Sequence, residues 1–238
     1  MTLSKLLALL RNRRSAVTLA RHRVAAAVEH LEAIRFCAPR TLIDVGANKG
    51  QFSMAVRSLF PKAQIHAFEP LPEARERFQS VFKGDHKVAL YDLAIGAKAG
   101  EAIFYVADRA DSSSLLRPGT GQREAYGVQT QRRITVRVQP LKETLDFSNL
   151  VHPVLMKIDV QGGELEVLKS IENLSLVDFI YVEVSFVELY ERQPLFREIF
   201  DHLAERGFRL RGAFNQSCTK AFGPTQADCL FERGSVST

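Results

Sequence analysis

Residues 41–50 read Thr41-Leu42-Ile43-Asp44-Val45-Gly46-Ala47-Asn48-Lys49-Gly50, a short, largely apolar run that breaks into a turn carrying two glycines. Thr41 to Val45 has the length and near-continuous apolarity of a strand covered on both faces. The glycines that follow allow the backbone to approach a ligand closely, just where a helix begins and unpaired N–H groups gather. Phe52, Ala55, Val56 and Leu59 mark one face of that helix, and Pro61 ends it.

The same grammar repeats outward from this unit. Gln64 to Phe68 reads as a second strand. Pro72 sits where a first helical turn accepts proline, Leu71, Ala74, Phe78, Val81 and Phe82 follow, and Gly84 stops the helix. Lys87 to Tyr91 makes a third strand. Strand–helix alternation with short turns predicts a parallel sheet with right-handed crossovers. Glu101–Val106 and Arg132–Val138 then alternate as strands around a polar stretch, Asp111-Ser112-Ser113-Ser114, which reads as an inserted loop or hairpin. The rhythm returns with a buried strand Val154–Ile158, a helix from Gly163 to about Ile171 and a strand Phe179–Val184. A helix through Phe196, Ile199, Phe200 and Leu203 follows, and Phe208–Phe214 with Ala227–Phe231 close the chain as an antiparallel hairpin. At 238 residues and 46% hydrophobic composition, the chain suits one α/β core.

Charge divides the chain in two. Residues 1–40 hold eight Lys/Arg against two acids, whereas the remaining 198 carry 24 basic and 25 acidic groups. The net charge of +5 therefore belongs to an N-terminal extension, residues 1–38, and the balanced body, residues 39–238, argues against a nucleic-acid partner. Leu3, Leu6, Leu7 and Leu10, then Val17, Val24, Val28, Leu31 and Ile34, predict one or two amphipathic helices over residues 3–36, closed by Pro39. A helical cap packed on the domain is the plain reading. Contact of residues 1–36 with an anionic membrane surface is the functional one. The opening Leu-rich run precedes its arginines, the wrong order for a secretory signal, so a cytoplasmic protein, peripheral at most to the inner membrane face, is expected. Cys37, Cys218 and Cys229 are scattered, no histidines cluster, and neither a disulfide framework nor a metal site is expected. Oligomeric state is not legible.

In an open α/β sheet, ligands bind beyond the carboxyl ends of the strands. Asp44, Gly46, Asn48 and Gly50 occupy the end of the first strand. Glu69 follows the second, where a carboxylate can accept both ribose hydroxyls, and Asp92 follows the third. The set is compatible with a nicotinamide dinucleotide or with S-adenosylmethionine. A dinucleotide turn requires Gly-x-Gly-x-x-Gly, however, whereas here Asn48 stands between Gly46 and Gly50. The Asp44 charge also suits a cationic sulfonium ligand better than a diphosphate. The fourth strand ends in Lys157-Ile158-Asp159-Val160-Gln161-Gly162-Gly163-Glu164, so Asp159 faces the same crevice. A buried Lys157 requires an acid partner, and Glu183 on the adjacent strand is the candidate.

Taken together, the 44–50 turn, Phe68-Glu69-Pro70, Ser112-Ser113-Ser114, the 157–164 segment, Glu183-Val184-Ser185-Phe186 and Pro194-Leu195-Phe196 resemble the FkbM-type methyltransferases over roughly residues 40–232. The resemblance implies a Rossmann-like class I methyltransferase fold: a seven-stranded, mostly parallel sheet, helices on both faces and an antiparallel C-terminal hairpin. It implies S-adenosylmethionine as methyl donor and a hydroxyl oxygen of a glycan, glycolipid or secondary metabolite as acceptor. Asn48 departs from the wider class I pattern, which has glycine there, while fitting this family. On this reading Asp44, Gly46, Asn48, Gly50, Glu69 and Asp92 bind the donor, and Asp159 is the base or the group that orients the acceptor. Ser113, Glu164 and Glu183 face the substrate, with the Asp111–Ser114 stretch as a flexible polar segment closing over it.

Overall fold

The computed structural model describes residues 24–234. After a 3-10 turn at Val28–His30 come α1 (Leu31–Cys37), β1 (Thr41–Val45), α2 (Gln51–Leu59), β2 (Gln64–Phe68), α3 (Pro72–Val81), β3 (Val88–Tyr91), β4 (Ala94–Ile95) and β5 (Gly100–Ala107). There follow α4 (Thr120–Tyr126), β6 (Thr130–Gln139), α5 (Leu141–Thr144), β7 (Val154–Ile158), α6 (Glu164–Lys169), β8 (Phe179–Ser185), α7 (Phe196–Ala204), β9 (Phe208–Thr219) and β10 (Gly223–Arg233). The main sheet has seven strands in the order β3-β2-β1-β7-β8-β10-β9. β1 pairs parallel to β2 and β7, and β10 pairs antiparallel to both β8 and β9. The expected fold class is observed.

Alternation along the central strands splits the core in two, because successive side chains point to opposite faces. Ile43, Val45, Met156 and Ile158 pack with Val167 and Leu168 of α6 and Ile199 and Leu203 of α7. Leu42 and Leu155 pack on the other face with Ile34 of α1, Phe52 and Val56 of α2, and Phe78 of α3. All five residues of β1 and of β7 are buried, Asp44 and Lys157 included. These two strands therefore present their carboxyl ends at the centre of the sheet, where the two directions of winding diverge.

The inserted segment is an antiparallel hairpin, β5 with β6, joined by the short strand β4 into a separate three-stranded sheet. Phe104, Val106, Val136 and Val138 pack it against Leu71 and Ala74 at the start of α3. The serines between its strands depart from the expected flexible segment. Ser112, Ser113 and Ser114 are all buried; Ser114 Oγ donates to the Gln161 carbonyl of the β7–α6 loop at 2.7 Å, and Ser113 Oγ accepts the Ala107 N–H at the end of β5 at 3.1 Å. Helix α4 in the same stretch has no apolar stripe to announce it. It lies so close to the loop after β8 that a Cβ on Gly121 would come within 2.1 Å of the Glu188 carbonyl oxygen.

Of the amphipathic helix expected over residues 3–36, residues 1–23 lie outside the described residues. Residues 24–27 are not helical, since Val24 and Ala26 pack as a strap on Met54. No helix among the described residues is long and apolar enough to cross a membrane.

Candidate active site

The turn after β1 is built around two close approaches. Gly46 has φ +79°, and a Cβ there would lie 1.9 Å from the Asp159 backbone oxygen, so the two strand ends touch through backbone alone. At Gly50, φ +88°, a Cβ would come within 2.8 Å of the Phe82 ring, so glycine is needed for packing against the end of α3. Between them, Asn48 adopts φ 47°, a left-handed conformation that asparagine tolerates better than most residues.

A cavity of about 820 Å³ opens above this turn, within the range of small-molecule sites. Gly46, Asn48, Glu69, Asp159 and Ser113 are in its wall. Glu69 is buried, and its two carboxylate oxygens accept the N–H groups of Asn48 and Leu71, each at 2.8 Å. Burial pushes its pKa up to about 7, against the pull of those two hydrogen bonds. Each oxygen keeps a lone pair for a ligand hydroxyl.

Lys157 ties the two central strands together. It stands opposite Asp44 in the β1–β7 register. Its ammonium donates to the Gly46 carbonyl at 2.9 Å and lies 3.3 Å from Asp159 and 3.6 Å from Asp44. Burial opposes its charge, but the carboxylates of Asp159 and Asp44 outweigh that and raise its pKa. The expected partner, Glu183, makes no ion pair with it. The correction follows from strand geometry: Lys157 pairs with Tyr181 in the β7–β8 register, while Asp44 stands directly across on β1 and Asp159 two residues on along the same face.

Asp159 faces the cavity with both oxygens engaged, one by Lys157 and the other by Gln161 Nε2 at 2.7 Å. The same Gln161 nitrogen donates to Glu183 at 2.8 Å, and Gln161 Oε1 accepts from the Tyr190 hydroxyl at 2.9 Å. Gln122 and Gln226 extend this network to Tyr190 and Glu183 respectively. Gln161 and Tyr190 thus brace the strand-end carboxylate, a role that no sequence spacing marked out.

Several expected site residues lie outside the cavity wall. Asp44, fully buried, accepts from Ser53 Oγ at 2.6 Å and supports the turn from beneath. Asp92 is two-thirds exposed and ion-paired with Arg75, because β3 ends at the sheet's edge. Glu164 is buried with one oxygen accepting from Val160 and Gly162, closing the loop before α6, and burial raises its pKa to about 7. Glu183 lies behind Gln161, its pKa raised well above the ordinary value by burial and by the neighbouring Asp159 and Asp228. Conversely, the segment before residue 38 reaches the site, for Val24, Ala27, Glu29 and His30 line the cavity.

A seven-stranded sheet with one reversed strand and a glycine turn beside paired carboxylates defines a class I methyltransferase fold. The chain is similar to TehB of Haemophilus influenzae at a TM-score of 0.51 and 8% identity, over 92% of this chain and 67% of that one. More specifically, residues 44–210 match the methyltransferase FkbM domain, and the chain belongs to that family. It is 31% identical over 170 residues to the 2-O-methyltransferase NoeI of Sinorhizobium fredii, covering 68% of this chain and 70% of that protein. It is 28% identical over 145 residues to the hexuronic acid methyltransferase AglP of Haloferax volcanii, covering 60% and 55%. The family expected from the motifs is the family found, and the protein is a methyltransferase.

Proposed function

We propose that this methyltransferase moves the methyl group of S-adenosylmethionine to a hydroxyl oxygen of a saccharide or of a small secondary metabolite. One observation carries the reading: Glu69, with both oxygens held by turn N–H groups, and the Lys157-anchored Asp159 stand in the wall of the same cavity. The residues fit such a donor. Asn48 Oδ1 is buried without a hydrogen-bond partner among the described residues, an acceptor waiting for a ligand group, and Glu69 offers the two lone pairs that a ribose diol requires. The similarity to a 2-O-methyltransferase, NoeI, and to a hexuronic acid methyltransferase, AglP, supports an oxygen acceptor on a sugar.

The donor, when bound, supplies a sulfonium-activated methyl group, transferred by in-line displacement. The protein's task is then alignment and exclusion of water. Gly46, Asn48 and Glu69 hold the nucleoside and amino-acid portions. Asp159, anchored by Lys157 and Gln161, orients the acceptor and offers a fixed negative charge to the sulfonium. The inserted sheet and the strap at residues 24–30 cover the cavity from two sides.

Calorimetry with S-adenosylhomocysteine tests the donor half. Binding is expected for the wild type, and Glu69→Ala should weaken it by about 10- to 100-fold, the cost of losing a buried acceptor pair. No heat with the wild type would refute the assignment.

A further inference from the structure

His30 belongs to neither the family's matched segment nor the sequence-predicted site, yet it lines the cavity. Among the described residues the polar contacts of its ring are at Nδ1, which faces the Tyr181 hydroxyl at 3.0 Å and Asp228 Oδ2 at 3.4 Å, with the Asn215 amide nitrogen also 3.0 Å away. The two N–H hydrogens of that amide have acceptors elsewhere, in Asp228 Oδ2 at 2.9 Å and the Tyr181 hydroxyl at 3.3 Å, which leaves Nδ1 free to carry its own proton. The ring is clamped between Phe52, centroids 5.3 Å apart, and the edge-on Tyr181 at 5.5 Å. Nε2 has no hydrogen-bond partner among the described residues, and the residue lines the cavity.

We infer that His30 is the base for the transfer, taking the proton of the acceptor hydroxyl on Nε2 while Asp228 and Tyr181 position it through Nδ1. The inference rests on the methyl-transfer reading above. Asp159 is the poorer base, since an ammonium and an amide already occupy its two oxygens. The step balances without a further reactant. The acceptor oxygen forms its bond to the methyl carbon as the carbon–sulfur bond breaks, and the electron pair stays on sulfur. The hydroxyl proton passes to Nε2, the imidazolium is compensated by Asp228, and the proton leaves to solvent afterwards.

The groups facing His30 set its protonation. Burial lowers its pKa, Asp228, Glu29 and Asp159 oppose that, and Lys157 reinforces it, with a net shift below the ordinary 6.5. The ring is therefore neutral in the physiological range and available as a base. The arrangement also explains why the strap matters. Residues 30, 215 and 228 all lie outside the span 44–210 that the family model covers, so the base is supplied by this chain's flanking segments, whereas the carboxylates at the ends of β2 and β7 belong to the shared core.

Two measurements on the full chain test it. The ¹⁵N spectrum of histidine-labelled protein loaded with S-adenosylhomocysteine, at about pH 7.5, should show His30 neutral with the proton on Nδ1. A proton on Nε2, or an imidazolium, overturns the inference. Transfer of labelled methyl to methyl glucoside and methyl glucuronide gives the second readout. His30→Gln should lower kcat by about 10²- to 10⁴-fold, abolish the acid limb of the pH profile, and leave S-adenosylhomocysteine affinity within about threefold of wild type. Asp228→Asn should move that limb to lower pH. A His30→Gln enzyme with near wild-type kcat and an intact acid limb sinks the proposal. Wild type that binds no S-adenosylhomocysteine refutes the donor assignment instead. Donor binding with no transfer to either glycoside counts against the sugar acceptor, and the tautomer then decides the role of His30.

Discussion

Replacing Lys157 by methionine keeps the apolar stem that crosses the buried strand and removes the charge at its tip. In the native protein that charge lies 3.6 Å from Asp44 and 3.3 Å from Asp159. Asp159 retains Gln161 and partial solvent, but Asp44 is fully buried, and its Oδ1 has no hydrogen-bond partner, so the ammonium is its main electrostatic compensation. Breaking a buried pair by removing one partner costs about 3–5 kcal/mol, since the remaining charge stays desolvated. For a domain of this size each kcal/mol corresponds to about 2–4 °C, so a fall in Tm of roughly 6–20 °C is expected in calorimetry. The Gly46 carbonyl also loses its donor at 2.9 Å, so S-adenosylhomocysteine binding should weaken in parallel. The double variant Lys157→Met/Asp44→Asn removes the stranded charge and should recover about half of the lost stability. Should Lys157→Met melt within about 2 °C of wild type, the idea that this ammonium holds the two strand ends together would be wrong.

Other perturbations probe neighbouring parts. Gly46→Ala would drive a methyl into the Asp159 carbonyl, 1.9 Å away; added to about 1–2 kcal/mol of left-handed backbone strain, this should abolish detectable S-adenosylhomocysteine binding, checked by calorimetry on the folded variant. Glu164 has its pKa raised from 4.5 to about 7, so its contribution to stability is present below pH 4.5 and lost as pH rises towards 7. Glu164→Gln, which keeps the acceptor oxygen, should flatten that stretch of the urea-denaturation profile and gain roughly 2–3 kcal/mol at pH 8. A steeper decline than wild type would contradict the sign. Asp159→Asn should leave affinity for S-adenosylhomocysteine, which lacks the sulfonium charge, within about threefold while lowering single-turnover methyl transfer by about 10- to 100-fold, through misplacement of the acceptor. Wild-type turnover in that variant would remove Asp159 from the alignment.

The main sheet was readable because its determinants are local. Five-residue apolar runs ending in glycine turns, spaced by helical faces of period 3.6, admit few arrangements other than parallel strands with crossovers. Thr41–Val45, Gln64–Phe68 and Val154–Ile158 are observed with the bounds expected. The strand ends followed at once, so Gly46, Asn48, Glu69 and Asp159 could be placed at one crevice from order alone. Helix α4 could not, since its sequence TGQREAY carries no periodic apolar face and its helicity is secured by docking on the loop after β8.

What the sequence by itself determined, then, is the fold, the family and the strand ends that line the cavity, since these depend on patterns repeated over neighbouring residues. Partnership across the sheet was left to tertiary structure. Register, and not chemical suitability, gave Lys157 to Asp44 and Asp159 in place of Glu183. Burial made Ser113 and Ser114 structural as well as polar. The meeting of His30, Asn215 and Asp228 spans 185 residues between its first two members. No sequence period reaches across such a separation, and only packing of the first and last segments on the same side of the sheet brings those groups into contact.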